Sequence, residues 1–210
     1  WIGTAMDGLF SYNRDDKTFI QYKHDPADPF SISTNGITSI FEDDANNLWI
    51  GTGGGGICVI RGFNYAFEHF LFDPENQSGL SNPVVNDLAE DKDGNIWITT
   101  WGAGLNHFDR KNKTFSKYRH DPSDPGSIGS DKLARIIIDS KGNVWCNGWG
   151  VHKMNTDGKF ESFRLPGLSW GIYQDKKGIV WVATSEALCK YDESMNSFHE
   201  ISYHGSFHGV

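Results

Sequence analysis

The sequence predicts an all-β fold made of repeated small sheets, and three observations carry that prediction. A phrase anchored on tryptophan returns at Trp1, Trp49, Trp97, Trp145 and Trp181, at spacings of 48, 48, 48 and 36 residues. Each return holds short runs of β-branched and aromatic residues separated by turn residues. No window sustains a helical period. Four short antiparallel strands in every 40 to 50 residues or so is the signature of a β-propeller blade.

The second repeat shows the elements in order. Run a is Ile37–Glu42, run b Leu48–Thr52, run c Gly56–Arg61 and run d Phe67–Phe72. Between a and b, Asp43, Asp91, Asp139 and Asp175 each stand six residues before their tryptophan. Gly94, Gly142 and Gly178 stand three before it, with Asn46 in that place in the second repeat. A tight turn needs an Asp to bond its own backbone and a residue that tolerates positive φ. The tryptophan then falls early in strand b, where its ring packs on the neighbouring blade. The 36-residue repeat lacks residues only between b and c and between d and a, so its shortening is confined to loops.

Blades are predicted at about 1–25 (partial), 36–72, 84–119, 132–163 and 168–202, all within one propeller unit spanning 1–210. The first lacks its strand a. This makes four complete blades plus a partial one, about five in all. Two open strand edges invite pairing with another chain, so self-association or a homodimer is expected.

Composition narrows the function. The net charge of -8 argues against a nucleic-acid partner, because a phosphate backbone needs a basic footprint. No stretch is long and apolar enough to cross a membrane. Cys58, Cys146 and Cys189 fall in strand-like runs without metal-ligand spacing and read as buried thiols. His24-Asp25-Pro26 and His120-Asp121-Pro122 read as turns rather than metal or catalytic pairs, since proline directly follows the Asp. Asp91, Asp93 and Asn95 have the start of a calcium loop but no Glu at its required end. His204 and His208 sit in a tail. No metal, no cofactor and no catalytic residue is expected.

Unequal loops point to a ligand site. Trp101 and Trp149 each stand four residues after their repeat tryptophan, where Ala5, Gly53 and Ser185 stand elsewhere. Two rings in matching b-to-c loops of adjacent blades would form an aromatic platform, and a flat sugar face stacks on such rings. Strand a should line the channel. It carries Asn86 and Asp87, then Ala134 and Arg135, then Trp170 and Gly171 at matching levels. Asp87 and Arg135 would pair across the wall or hold polar ligand groups. Trp170 is a third stacking ring. The candidate binding residues are Trp101, Trp149, Trp170, Asn86, Asp87 and Arg135.

The repeat from Val85 to Asp109, VNDLAEDKDGNIWITTWGAGLNHFD, resembles the two-component regulator propeller. That family is the sensory module of hybrid histidine kinases best known from gut Bacteroidetes. The resemblance implies a periplasmic ectodomain that recognises oligosaccharides and signals to a kinase elsewhere in the protein. It also implies seven-bladed propellers followed by a β-sandwich. At 48 residues per repeat seven blades need about 336 residues, so the chain is expected to be part of such a ring, partnered by the remaining blades and the β-sandwich. VHKM at Val151–Met154 and Glu186, Ala187 and Leu188 depart from the family's Gly-Gly-Leu. A protein-contact scaffold is the alternative reading. A propeller glycosidase or lyase is a further one, weakened because no nucleophile and base pair stands out.

Overall fold

The computed structural model describes residues 1–62, 64–75, 78–155 and 157–201. His204 and His208 lie outside the described residues. The described residues form antiparallel sheets in chain order, and no helix among them is long and apolar enough to cross a membrane.

The first sheet has three strands: β1 (Ile2–Gly3), β2 (Leu9–Tyr12) and β3 (Phe19–Tyr22). Four four-stranded sheets follow. The second blade comprises β4 (Ile37–Glu42), β5 (Asn47–Thr52), β6 (Ile57–Arg61) and β7 (Asn64–Phe70). The third comprises β8 (Val85–Glu90), β9 (Ile96–Thr100), β10 (Leu105–Asp109) and β11 (Thr114–Tyr118). The fourth comprises β12 (Leu133–Ile138), β13 (Val144–Gly148), β14 (Gly150–Met154) and β15 (Phe160–Phe163). The fifth comprises β16 (Ser169–Gln174), β17 (Val180–Thr184), β18 (Leu188–Asp192) and β19 (Ser197–Glu200). Strand order within each sheet is the order of the chain. Strand d of the second blade starts and ends earlier than the apolar run Phe67–Phe72 indicates, because β7 pairs with β6 from Asn64 onward.

The innermost strands β4, β8, β12 and β16 touch in succession, which makes them the wall around the axis. Blades are joined mainly by apolar packing. Trp49 is buried with Val59 of its own blade and Leu88, Ile96, Ile98 and Phe108 of the next. Trp97 packs likewise with Ile136 and Val144, and Trp145 with Val180 and Val182. Burying one such ring contributes about 2 to 3 kcal/mol. Trp181 is only half-buried and Trp1 is exposed, so the structural role expected of all five rings is fulfilled by burial at three of them.

The two outer faces correspond to the two sides of a blade junction. Ile2, Tyr12 and Phe19 are exposed on the first blade, where the third blade buries Ile98 and Phe108 and partly buries Phe115. Tyr173, Trp181, Ala183 and Leu188 line an open apolar face on the fifth blade. Their counterparts Phe41, Trp49, Gly51 and Ile57 lie against the third blade or within the second.

The turn from a to b is the same in four blades. Oδ1 of Asp43 accepts from the backbone N–H groups of Ala45 and Asn47, and Asp139 does so from Lys141 and Asn143. Asp91 and Asp175 repeat the pattern. Gly94, Gly142 and Gly178 hold φ of 81°, 83° and 80°, with Asn46 at 59° in the same place. The second carboxylate oxygen does something that turn chemistry alone did not predict. Oδ2 accepts the indole N–H of the repeat tryptophan, at 2.7 Å for Asp43–Trp49 and 2.9 Å for Asp139–Trp145. One carboxylate therefore shapes the turn and satisfies the only polar atom of a ring that must be buried.

Candidate functional site

The end of the molecule that carries the b-to-c loops also carries the start of each strand a, because the two are hydrogen-bonded partners. Val85 pairs with Thr100, Leu133 with Gly148 and Ser169 with Thr184. Trp101, Trp149 and Trp170 therefore stand at one end. All three are exposed, at 49%, 56% and 58%. The backbone fixes the first two in the same way, since Trp101 N–H donates to Val84 and Trp149 N–H to Lys132. Trp101 also forms a β-bridge with Lys132, whose ammonium lies 4.2 Å from the Trp149 ring centroid. Lys132 thus links the two loops.

Trp170 has a different origin. It is the extra residue of a β-bulge, as are Thr38, Asn86 and Ala134 in the same place of earlier blades. Thr38 Oγ1 donates to the Val85 carbonyl at 2.5 Å and Asn86 Nδ2 to the Leu133 carbonyl at 2.6 Å. The bulge therefore presents a side chain that ties one blade to the next. Ala134 has no group for that bond, and Trp170 stands exposed on the last described blade.

Asn86 is held in that latch. Asp87 has a similar duty: Oδ2 accepts the Ile136 N–H at 3.1 Å, across the blade junction. Burial pushes the Asp87 carboxyl above its ordinary range, against the pull of that hydrogen bond and of Arg135. Arg135 lies 4.0 Å from Asp87 with its side chain half-exposed. The pair expected across the wall is present, but the Ile136 N–H is the closer partner. His24 and His120 direct Nδ1 to the carbonyls of Ile32 and Ile128, while Asp25 and Asp121 accept from Ala27 and Ser123 within their own turns. These contacts close the d-to-a loops. Cys58, Cys146 and Cys189 are buried thiols.

A groove of about 570 Å³ opens at this end over the fourth blade, lined among others by Trp149, His152, Ser130, Arg164 and Leu168. Sequence reading passed over His152. In strand c it occupies the place of Cys58 and Asn106, as the registers Cys58–Ile50, Asn106–Ile98 and His152–Cys146 show. In the second and third blades that residue bonds a serine of the preceding loop. Cys58 Sγ donates to Ser33 Oγ, and Asn106 Nδ2 donates to Ser81 Oγ at 2.8 Å. Sixteen residues before Trp145 the serine is replaced by Gly129. The glycine is required by the imidazole, since a Cβ there would stand 2.8 Å from His152 Cε1 and 2.6 Å from Ser162 Oγ. His152 is 2% exposed, and its Nδ1 bonds Ser162 Oγ at 2.9 Å. Its Nε2 is buried without a hydrogen bond. Burial pulls its pKa down to about 4, with the Trp149 carbonyl opposing weakly, so the ring is neutral at pH 7. The signal that marks this position in the sequence is the paired change, Ser to Gly and Asn or Cys to His, in one repeat.

These sheets, radially repeated around innermost strands, define a β-propeller with its loop-rich end bearing exposed tryptophans. More narrowly, residues 31–54, 79–102 and 165–186 match the two component regulator propeller family. The extracellular domain assigned to hybrid two component system BT3049 of B. thetaiotaomicron superposes with a TM-score of 0.82 at 21% identity, covering 95% of this chain and 28% of that one. Virginiamycin B lyase from Staphylococcus aureus superposes with a TM-score of 0.70 at 13% identity, over 95% of this chain and 64% of that one. A streptogramin B lyase gives 0.68 at 16%, over 95% and 63%. At these identities the likeness is one of fold. The chain spans less than a third of the BT3049 ectodomain. No curated protein sequence matches it.

Proposed function

We propose that this chain is part of the periplasmic ligand-sensing propeller of a hybrid two-component system, and that it recognises oligosaccharides. The observation that carries the reading is the pair Trp101 and Trp149, half-exposed in matching loops of adjacent blades and linked through Lys132. A buried propeller loop has no use for two exposed indoles, whereas a pyranose face does. The repeat family supports a sensory rather than an enzymatic segment. The lyases share its fold, but the carboxylates of its turns and inner wall are engaged in structural bonds. A kinase partner, further blades and a β-sandwich belong to the same proposal.

A thermal-shift and calorimetric screen against plant and host oligosaccharides tests the reading. Trp101→Ala and Trp149→Ala should each weaken binding by about tenfold, the equivalent of one lost stacking contact of roughly 1.4 kcal/mol. Binding unchanged in the double variant removes the platform from the argument.

The outer faces of the first and fifth blades are proposed to be covered by further blades. In their absence, Ile2, Tyr12 and Phe19 and the apolar face around Trp181 drive self-association of this chain alone. Light scattering should show species heavier than 23.5 kDa. A monodisperse monomer contradicts that expectation.

A further inference from the structure

We infer that the groove over the fourth blade takes an acidic saccharide, one whose sugar ring carries a carboxylate. The inference rests on the oligosaccharide reading above and names the class of sugar.

Three features of the groove point the same way. First, its charge is opposite to that of the molecule. The chain carries a net charge of -8, yet no Asp or Glu lines the groove, while Arg164 does. Arg164 and Lys132 take part in no ion pair among the described residues. Lys132 instead caps the Trp149 ring. Guanidinium offers a planar fork that matches a carboxylate, and an ammonium nearby adds to the attraction. Second, Trp149 supplies a stacking surface in the same groove. Third, His152 Nε2 is a buried polar atom that makes no well-formed hydrogen bond, approached only weakly by the Trp149 carbonyl, in a side chain 2% exposed that lines the groove. Leaving such an atom unpaired is costly, and the two preceding blades avoid it with a Ser partner. A sugar hydroxyl can donate or accept, so it completes the imidazole in either tautomer. The groove thus offers a fork for the carboxylate, a face for the ring and a buried nitrogen for one hydroxyl.

The test uses tetragalacturonate and its full methyl ester, which share a skeleton and differ in charge, with titration followed by calorimetry at low and high salt. Tetragalacturonate should bind about tenfold or more tightly than the ester, with the preference shrinking at high salt. Arg164→Gln should erase the preference while leaving the ester's affinity in place. The paired change Gly129→Ser with His152→Asn, which imports the third blade's satisfied pair, should weaken both ligands. Equal affinity for acid and ester overturns the acidic-sugar inference and leaves the sensor reading standing. The same follows if only other, neutral oligosaccharides bind. Failure of every oligosaccharide overturns both.

Discussion

Asp139→Ala should unfold this chain roughly 6 to 12 °C earlier than the parent, the equivalent of about 3 kcal/mol in a protein of this size. Asp139 is buried, and four bonds converge on its two oxygens. Oδ1 takes the N–H groups of Lys141 and Asn143, and Oδ2 takes Asn143 Nδ2 at 2.8 Å and Trp145 Nε1 at 2.9 Å. Burial raises the Asp139 pKa, but the Asn143 and Trp145 hydrogen bonds outweigh it and hold the carboxyl below its usual range. Alanine strands an indole N–H in the interface between the fourth and fifth blades, where Trp145 is 1% exposed. A buried donor without a partner costs about 1 to 3 kcal/mol, and the loosened turn adds to it. Asp139→Asn should be nearly as harmful despite its shape. Its amide would place two donors of Asn143 and Trp145 against either a third donor or a single oxygen already engaged by the turn. Asp175→Ala makes the control. Its carboxyl takes the same two turn N–H groups and the indole, with Ile179 in place of the Asn143 amide, but Trp181 lies on the open face of the fifth blade and can turn its N–H to water. Calorimetric melting of the three variants decides the matter. Equal losses at Asp139 and Asp175 would mean that the turn, and not the buried indole, carries the effect.

That contrast explains how much of the fold was legible in the sequence. The repeat and its turns were readable because they obey local rules. An Asp six before the tryptophan and a Gly or Asn three before it settle φ and backbone bonds without reference to distant residues. Strand a of the second blade, Ile37–Glu42, matches its apolar run for the same reason. Strand d was less legible. Its start at Asn64 depends on pairing with Arg61 beyond a register shift at Ile60/Arg61, which no local pattern records.

The site was legible in part. Trp101 and Trp149 interrupt a run of small loop residues, so composition alone marks them. One of Asn86 and Asp87 was expected to face the channel, because alternation along a regular strand puts every second side chain on the axis. The bulge between Val85 and Asp87 breaks that alternation, and both side chains bond the fourth blade instead. His152 was hidden for the opposite reason. A lone histidine in a strand means little until its register shows that it stands where Cys58 and Asn106 stand, opposite a loop glycine that replaces serine.

The replacement of that pair makes the second large effect. Gly129→Ser alone should destabilise by about 1 to 3 kcal/mol, because the new Cβ meets Ser162 Oγ at 2.6 Å and His152 Cε1 at 2.8 Å, and the buried imidazole has little room to yield. His152→Asn alone should cost a similar amount, roughly 1 to 3 kcal/mol, by leaving a void and an amide without its serine. Together they recreate the Ser81–Asn106 arrangement, in which Oδ1 accepts the serine N–H at 3.0 Å and Nδ2 donates to its Oγ. The double variant should therefore recover most of the loss, a coupling of about 2 kcal/mol. Acid sharpens the result. His152 titrates near 4 in the folded chain against 6.5 when exposed, so the unfolded chain binds its proton first. The stabilisation from the neutral ring is whole above pH 6.5 and declines as the pH falls toward 4, by roughly 3 kcal/mol in all. The double variant lacks that decline. Urea unfolding at pH 7 and pH 4 should thus show the parent losing about 3 kcal/mol more than the double variant between the two conditions. Parallel losses would mean that the imidazole reaches water, and with it the argument for a buried, unpaired Nε2 would fall.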